Sequence, residues 1–178
     1  MSRRSENLMT LLDGRATMLE TERGPIQVAR EGDGPRVMSI HGSPGGFDQG
    51  LVWAQRLRDG GRELIAPSRP GYLRTPLDSG RSPAQQADLY AAMLDALHID
   101  KVTVLGISSG GPSAVHFAAR HPSRTNALLL DAAVLLPIAP ASNKIERAIF
   151  ESGTGIWLSC QIAKRWPKLT AALVVDTL

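Results

Sequence analysis

Apolar residues in this chain fall into short unbroken runs rather than strict alternation. Residues 36–41, 63–66, 101–107 and 126–131 are such runs, with Val37, Met38 and Ile40, Leu64 and Ile65, Val102, Val104 and Leu105, and Leu128, Leu129 and Leu130 at their centres. Runs of this kind predict strands buried on both faces, as in a parallel sheet. Helical spacing separates them. Leu51, Val52, Ala54 and Leu57 lie within residues 49–59, and Gly60-Gly61 stops that helix. Ser82 and Pro83 open the next as N-cap and first-turn residues, with Ala87, Tyr90, Ala91, Leu94 and Leu97 on one face. A third helix spans residues 109–121. Two short strands come first, 15–21 and 25–30, joined at Glu22-Arg23-Gly24. Strand and helix then alternate from residue 36 to 131, which predicts an α/β fold with a doubly wound, mostly parallel sheet.

Active sites in such sheets lie beyond the carboxyl ends of the strands. His41, the loop 67–72, Ser108 and Asp131 all stand at such ends. Pro137 and Pro140 break the alternation, and residues 142–152 and 155–178 then read as helical, with Trp157 and Trp166 among the apolar positions. Ala172–Val175 has enough β-branching to allow a strand. The predicted organisation is a loose lead-in over 1–14, a core over 15–136 and a helical cap segment over 137–178.

Composition narrows the class. The 178 residues are 43% hydrophobic and 21% charged, enough for one sizeable core. A net charge of +3 with scattered arginines and only 4% aromatics argues against a nucleic-acid partner. The single cysteine, Cys160, excludes an internal disulfide and fits a reducing compartment, so a cytoplasmic location is expected. No segment supplies the ~18 apolar residues of a membrane span, and the N-terminus lacks a secretory apolar stretch.

The chemistry concentrates at residues 106–111, Gly106-Ile107-Ser108-Ser109-Gly110-Gly111, between a predicted strand and a predicted helix. A nucleophilic serine must project its hydroxyl from a tight strand–turn–helix, with small residues two before and two after it because strand and helix pass close by. Gly106 and Gly110 meet that demand around Ser108. Glycine-rich strand–helix turns also bind phosphate, so the turn alone leaves both readings open.

Three motifs together resemble the α/β-hydrolase family across residues 15–136. Ser39 to Gly46, with His41-Gly42-Ser43-Pro44, resembles its H-G-x-P loop. Ser68-Arg69-Pro70-Gly71-Tyr72 is similar to its D-x-P-G-x-G loop, with Ser68 where aspartate is usual and Leu73 where glycine is usual. Val104 to Gly111 is similar to its nucleophile elbow. The resemblance implies Ser108 as nucleophile and the backbone amides of Ser43 and Ser109 as oxyanion hole. His41, Gly42, Gly106 and Gly110 would structure the loops. Serine rather than carboxylate at 108 implies acyl-type chemistry on an ester, lactone, amide or carbon–carbon bond of a small apolar substrate, with no metal and no organic cofactor.

The family order is serine, acid, histidine. His98 falls at the sheet end away from Ser108, His116 about two turns (~11–12 Å) down the following helix, and His121 at that helix's end. None of these is expected to reach Ser108. Asp131 is read either as the triad acid or as a strand-end cap. The chain is therefore expected to be C-terminally incomplete, with its base beyond residue 178. Two alternatives stand beside this: a catalytically inactive short form acting as a binding or interaction protein, and self-association or a complementing chain that supplies the missing strands.

Overall fold

The computed structural model describes residues 14–136, together with Thr154, Leu158, Gln161 and Arg165, each in helical conformation. Most of the predicted lead-in, the remainder of the predicted cap and Cys160 lie outside the described residues. The chain divides into two compact units, Met1–Leu136 and Pro137–Leu178.

Six strands form one sheet in the order β1-β2-β4-β3-β5-β6. They are β1 (Thr17–Leu19), β2 (Ile26–Glu31), β3 (Arg36–Ile40), β4 (Glu63–Pro67), β5 (Val102–Ile107) and β6 (Thr125–Asp131). β1 and β2 form the expected hairpin, and β2 runs antiparallel to β4. From β4 through β3 and β5 to β6 every pairing is parallel. The helices are α1 (Phe47–Trp53), α2 (Gln55–Asp59), α3 (Pro83–Ala96) and α4 (Gly111–Arg120).

The unbroken apolar runs follow from burial on both faces. Ile26 and Val28 of β2, Met38 and Ile40 of β3, Ile65 of β4 and Val102 and Val104 of β5 point into one cluster with Tyr90, Met93 and Leu94 of α3 and Phe117 of α4. The intervening residues, Val37, Leu64, Ala66, Leu105 and Ile107, point the other way onto Phe47 and Leu51 of α1. Period-two geometry divides one apolar string between two cores. Ser39 belongs to the second face, where its buried hydroxyl donates to the Gly50 carbonyl (2.9 Å).

α3 starts as its sequence predicts. Ser82 Oγ accepts the Gln85 N–H, and Gln85 Oε1 accepts the Ser82 N–H, a reciprocal cap with Pro83 behind it. The helix expected over 49–59 starts two residues earlier and is broken at Ala54 into α1 and α2. The early start has a tertiary cause: the Phe47 N–H is satisfied by Ser68 Oγ (3.2 Å), a residue 21 positions away. The helix expected from 109 begins instead as a 3-10 turn, Ser108–Gly110, before α4 proper. β6 differs from the inner strands in being half-buried or exposed along its length. Among the described residues no strand pairs with its outer edge.

Candidate active site

Ser108 follows the last residue of β5 with φ +47°, in the left-handed region. A non-glycine residue there costs about 1–2 kcal/mol, so the surrounding structure must hold it. The Val134 N–H donates to the Ser108 carbonyl (2.9 Å), tying the turn to the segment after β6. The glycines admit what passes by. A Cβ at Gly106 would come 2.5 Å from the Ala114 Cβ on α4. One at Gly110 would come 2.5 Å from both the Ile40 and His41 carbonyl oxygens. Strand β3 and helix α4 thus approach the turn more closely than any side chain allows.

Ser108 and Ser43 line the same depression of about 220 Å³, together with Gly42, Gln49, Trp53, Ile107 and Ala132. Ser108 Oγ makes no hydrogen bond to a described residue. The Ser43 N–H likewise has no acceptor among the described residues. Ser109 stands in the first turn after β5, where N–H groups lack partners within the helix. Gln49 fixes the loop from the α1 side: its Oε1 accepts the Gly42 N–H (2.8 Å) and its Nε2 donates to the Pro44 carbonyl (2.8 Å). A larger depression of about 730 Å³ near β1 and α3, lined by Glu20, Thr21, Glu22, Ala92, Asp95 and Ala96, has no serine, cysteine or histidine in its lining.

His41 is fully buried. Its Nε2 accepts the Arg69 N–H (2.9 Å), so the proton sits on Nδ1, which donates to the Gly42 carbonyl (2.7 Å). Both ring nitrogens are therefore spent on backbone. Burial, with the Arg69 charge adding to it, lowers its pKa to about 4. His98 and His116 are exposed, and His121 Nε2 meets Asp88 Oδ1 at 3.0 Å. All four histidines are thus described, and none is hydrogen-bonded to Ser108.

Asp131 ends β6 in register with Ile107, the residue before Ser108. Its Oδ2 accepts the Trp53 indole N–H at 2.6 Å. Trp53, Gln49, Arg69 and Tyr72 all touch the site, and the sequence reading had given none of them a role. Arg69 and Tyr72 lay inside a motif already noted, but their contacts with Ser109 and Ser43 span 40 and 29 residues, a separation without local signal. Ser68 stands in place of the usual aspartate. Its buried hydroxyl accepts the Phe47 N–H and donates to Gln27 Oε1 (3.1 Å), so the chain replaces a carboxylate with a serine–glutamine pair. Leu73, in place of the usual glycine, has φ +48°. Among the described residues no three His, Cys, Asp or Glu side chains gather as a metal site, and no helix is long and apolar enough to cross a membrane.

A mixed sheet with helices on both faces and a strained serine at a strand–helix turn defines a hydrolase-type α/β protein. The chain belongs to the α/β-hydrolase fold family, whose model matches residues 35–151. It is 35% identical over 120 residues to the uncharacterized hydrolase YcgS of Bacillus subtilis, covering 67% of this chain and 42% of that protein. It is also 35% identical over 103 residues to 2-hydroxymuconate semialdehyde hydrolase of Pseudomonas putida, covering 56% and 37% respectively. An α/β-hydrolase fold protein from Nakamurella multipartita superposes with TM-score 0.75 at 40% identity, over 85% of this chain and 53% of that one. The chain therefore spans about two-fifths of the length of these curated relatives.

Proposed function

We propose that this chain carries the nucleophile and oxyanion hole of a serine hydrolase acting on an ester, lactone, amide or carbon–carbon bond of a small apolar substrate. The observation that carries the reading is Ser108 itself: left-handed, its hydroxyl without a partner among the described residues, and lining a depression shared with Ser43. In the proposed reaction Ser108 Oγ attacks the substrate carbonyl carbon. The carbonyl π electrons move to its oxygen, which the N–H groups of Ser43 and Ser109 hold. Each such donor is worth about 2.7–4 kcal/mol to the rate. A histidine takes the Oγ proton and returns it to the leaving group, and water then repeats the sequence on the acyl-enzyme.

That histidine is proposed to come from outside these 178 residues, because His41, His98, His116 and His121 are buried on backbone, exposed elsewhere or paired with Asp88. The limited coverage of longer relatives supports this. Asp131, oriented by Trp53, is the proposed acid. Residues 137–178 are the proposed first part of a cap that selects the substrate, and the proposed location is the cytoplasm. The relative named a 2-hydroxymuconate semialdehyde hydrolase supports hydrolysis of a small molecule, with the four bond types left open. The second reading, an inactive short form that binds ligand in the same depression, is favoured by the same lack of a histidine at Ser108.

Imidazole rescue separates the two. The 178-residue chain and Ser108→Ala are compared on 4-nitrophenyl butanoate with increasing free imidazole. The proposal expects a serine-dependent rate that rises with imidazole, as the free base replaces the missing one. Equal rates for parent and variant at every imidazole concentration remove Ser108 from catalysis and leave the binding reading.

A further inference from the structure

Beside Ser108 runs a chain of side-chain hydrogen bonds that the reaction above does not use. Arg69 Nη1 donates to Ser109 Oγ (2.9 Å). Ser109 Oγ donates to Ser43 Oγ (3.1 Å), and Ser43 Oγ is hydrogen-bonded to the Tyr72 hydroxyl (2.5 Å). The same guanidinium nitrogen holds the His41 carbonyl (3.2 Å), and the guanidinium lies 5.1 Å from the Tyr72 ring centre. Tyr72 in turn meets the buried His41 ring edge-on at 4.9 Å. The series is thus anchored at both ends to the loop that carries Ser43.

The direction of the series is fixed by its head. A guanidinium can only donate. Ser109 Oγ therefore accepts from Arg69, and its own proton goes on to Ser43. At the last link there are two hydroxyls and one hydrogen bond. Either Ser43 donates to Tyr72 and the phenol proton is left over, or Tyr72 donates to Ser43 and the serine proton is left over. Both arrangements end with one O–H that has no acceptor among the described residues. With Ser43 donating to Tyr72, every dipole in the series points its positive end away from Arg69; with Tyr72 donating to Ser43, the Ser43 oxygen accepts from both sides, and in either case hydrogen bonds in one network polarise one another. The spare proton is consequently a better donor than an isolated hydroxyl, and an oxygen anion is its best complement. Ser43 also lines the depression that contains Ser108, and Tyr72 is hydrogen-bonded to Ser43, so either donor stands at the depression or one hydrogen bond from it.

We propose that the Ser43–Tyr72 pair, polarised by Arg69 through Ser109, is a subsite for a carboxylate carried by the substrate at its end remote from the bond that Ser108 attacks. This rests on the serine-hydrolase reading for the word substrate, but the binding step needs no turnover. The preferred molecule has an apolar body between an acyl group and an acid.

Two probes of matched shape test the subsite: monomethyl succinate, which ends in a carboxylate, and methyl butanoate, which ends in a methyl group. Binding of each to the ¹⁵N-labelled 178-residue chain is followed by amide chemical shifts. The parent chain should prefer the acid by about fivefold or more in Kd, the scale of one charge-assisted hydrogen bond. The double variant Ser43→Ala/Tyr72→Phe keeps Arg69 and the net charge, removes both hydroxyls of the pair and ends the series at Ser109, outside the lining of the depression, so that the general attraction for anions remains. Its preference should fall to about twofold or less. Tyr72→Phe alone, which preserves the ring packed on His41, moves the end of the series inward to Ser43 and should give an intermediate ratio. Equal preference in parent and double variant, or no saturable shift with either probe, overturns the subsite. Loss of Ser108-dependent hydrolysis with the preference intact overturns the nucleophile reading and spares the subsite.

Discussion

Ser108 offers a direct measurement of how much the turn strains its own residue. Replacing it by alanine removes Oγ, which has no partner among the described residues, and leaves a Cβ at φ +47°. Replacing it by glycine removes Oγ and Cβ together. The difference between the two variants isolates the backbone. Relief of the left-handed conformation is worth about 1–2 kcal/mol. The extra freedom of glycine in the unfolded chain takes back about 0.5–1 kcal/mol. Ser108→Gly should therefore be more stable than Ser108→Ala by about 0.5–1 kcal/mol. Urea unfolding followed by circular dichroism reads this as a midpoint higher by about 0.2–0.5 M for an m-value near 2 kcal/mol/M. Serine itself should lie close to alanine, because its hydroxyl contributes no hydrogen bond to the fold. A Ser108→Gly midpoint equal to or below that of Ser108→Ala refutes the claim that Cβ is held against its preference. The consequence for function is specific: the serine would then be placed there without a stability cost, and strain would be no argument for its role.

Three further outcomes follow from the same geometry. Gly110→Ala puts a methyl 2.5 Å from the backbone carbonyl oxygens of Ile40, which ends β3, and His41, which follows it; it should destabilise by about 2 kcal/mol or more, read as a fall in urea midpoint. Ser68→Ala leaves the Phe47 N–H without its acceptor and takes a donor from Gln27; a loss of about 1–3 kcal/mol is expected by the same assay, and a neutral result would mean that water reaches the buried pair. His41 is the third case. Its folded pKa is about 4, below the 6.5 of the free side chain, so the unfolded chain binds the proton more readily. The neutral ring's contribution is complete above pH 6.5 and is lost as pH falls from there through 4, up to about 3 kcal/mol in all. Between pH 6.5 and 4 the urea midpoint should fall more steeply for the parent than for His41→Asn, and parallel slopes would contradict the buried neutral histidine.

Whatever depends on neighbours along the chain is legible from the residues alone. Apolar runs such as residues 101–107 specify strands buried on both faces, because period two distributes their side chains between two cores. Ser82, Pro83 and Gln85 specify the start of α3, because a helix cap is closed by residues three apart. The glycines around Ser108 are legible for a similar reason, since the space they leave is needed within a single strand–turn–helix. Tertiary structure decided the rest. The start of α1 at Phe47 depends on Ser68, and the break at Ala54 has no counterpart in the spacing of apolar residues. The orientation of Asp131 depends on Trp53, 78 residues earlier. The hydroxyl series from Arg69 to Tyr72 joins three loops that meet only because β3, β4 and β5 lie side by side with their carboxyl ends together. Hydrogen bonds between segments so far apart leave no periodicity to read, since it is the order of strands in the sheet, not the order of residues in the chain, that makes their side chains neighbours.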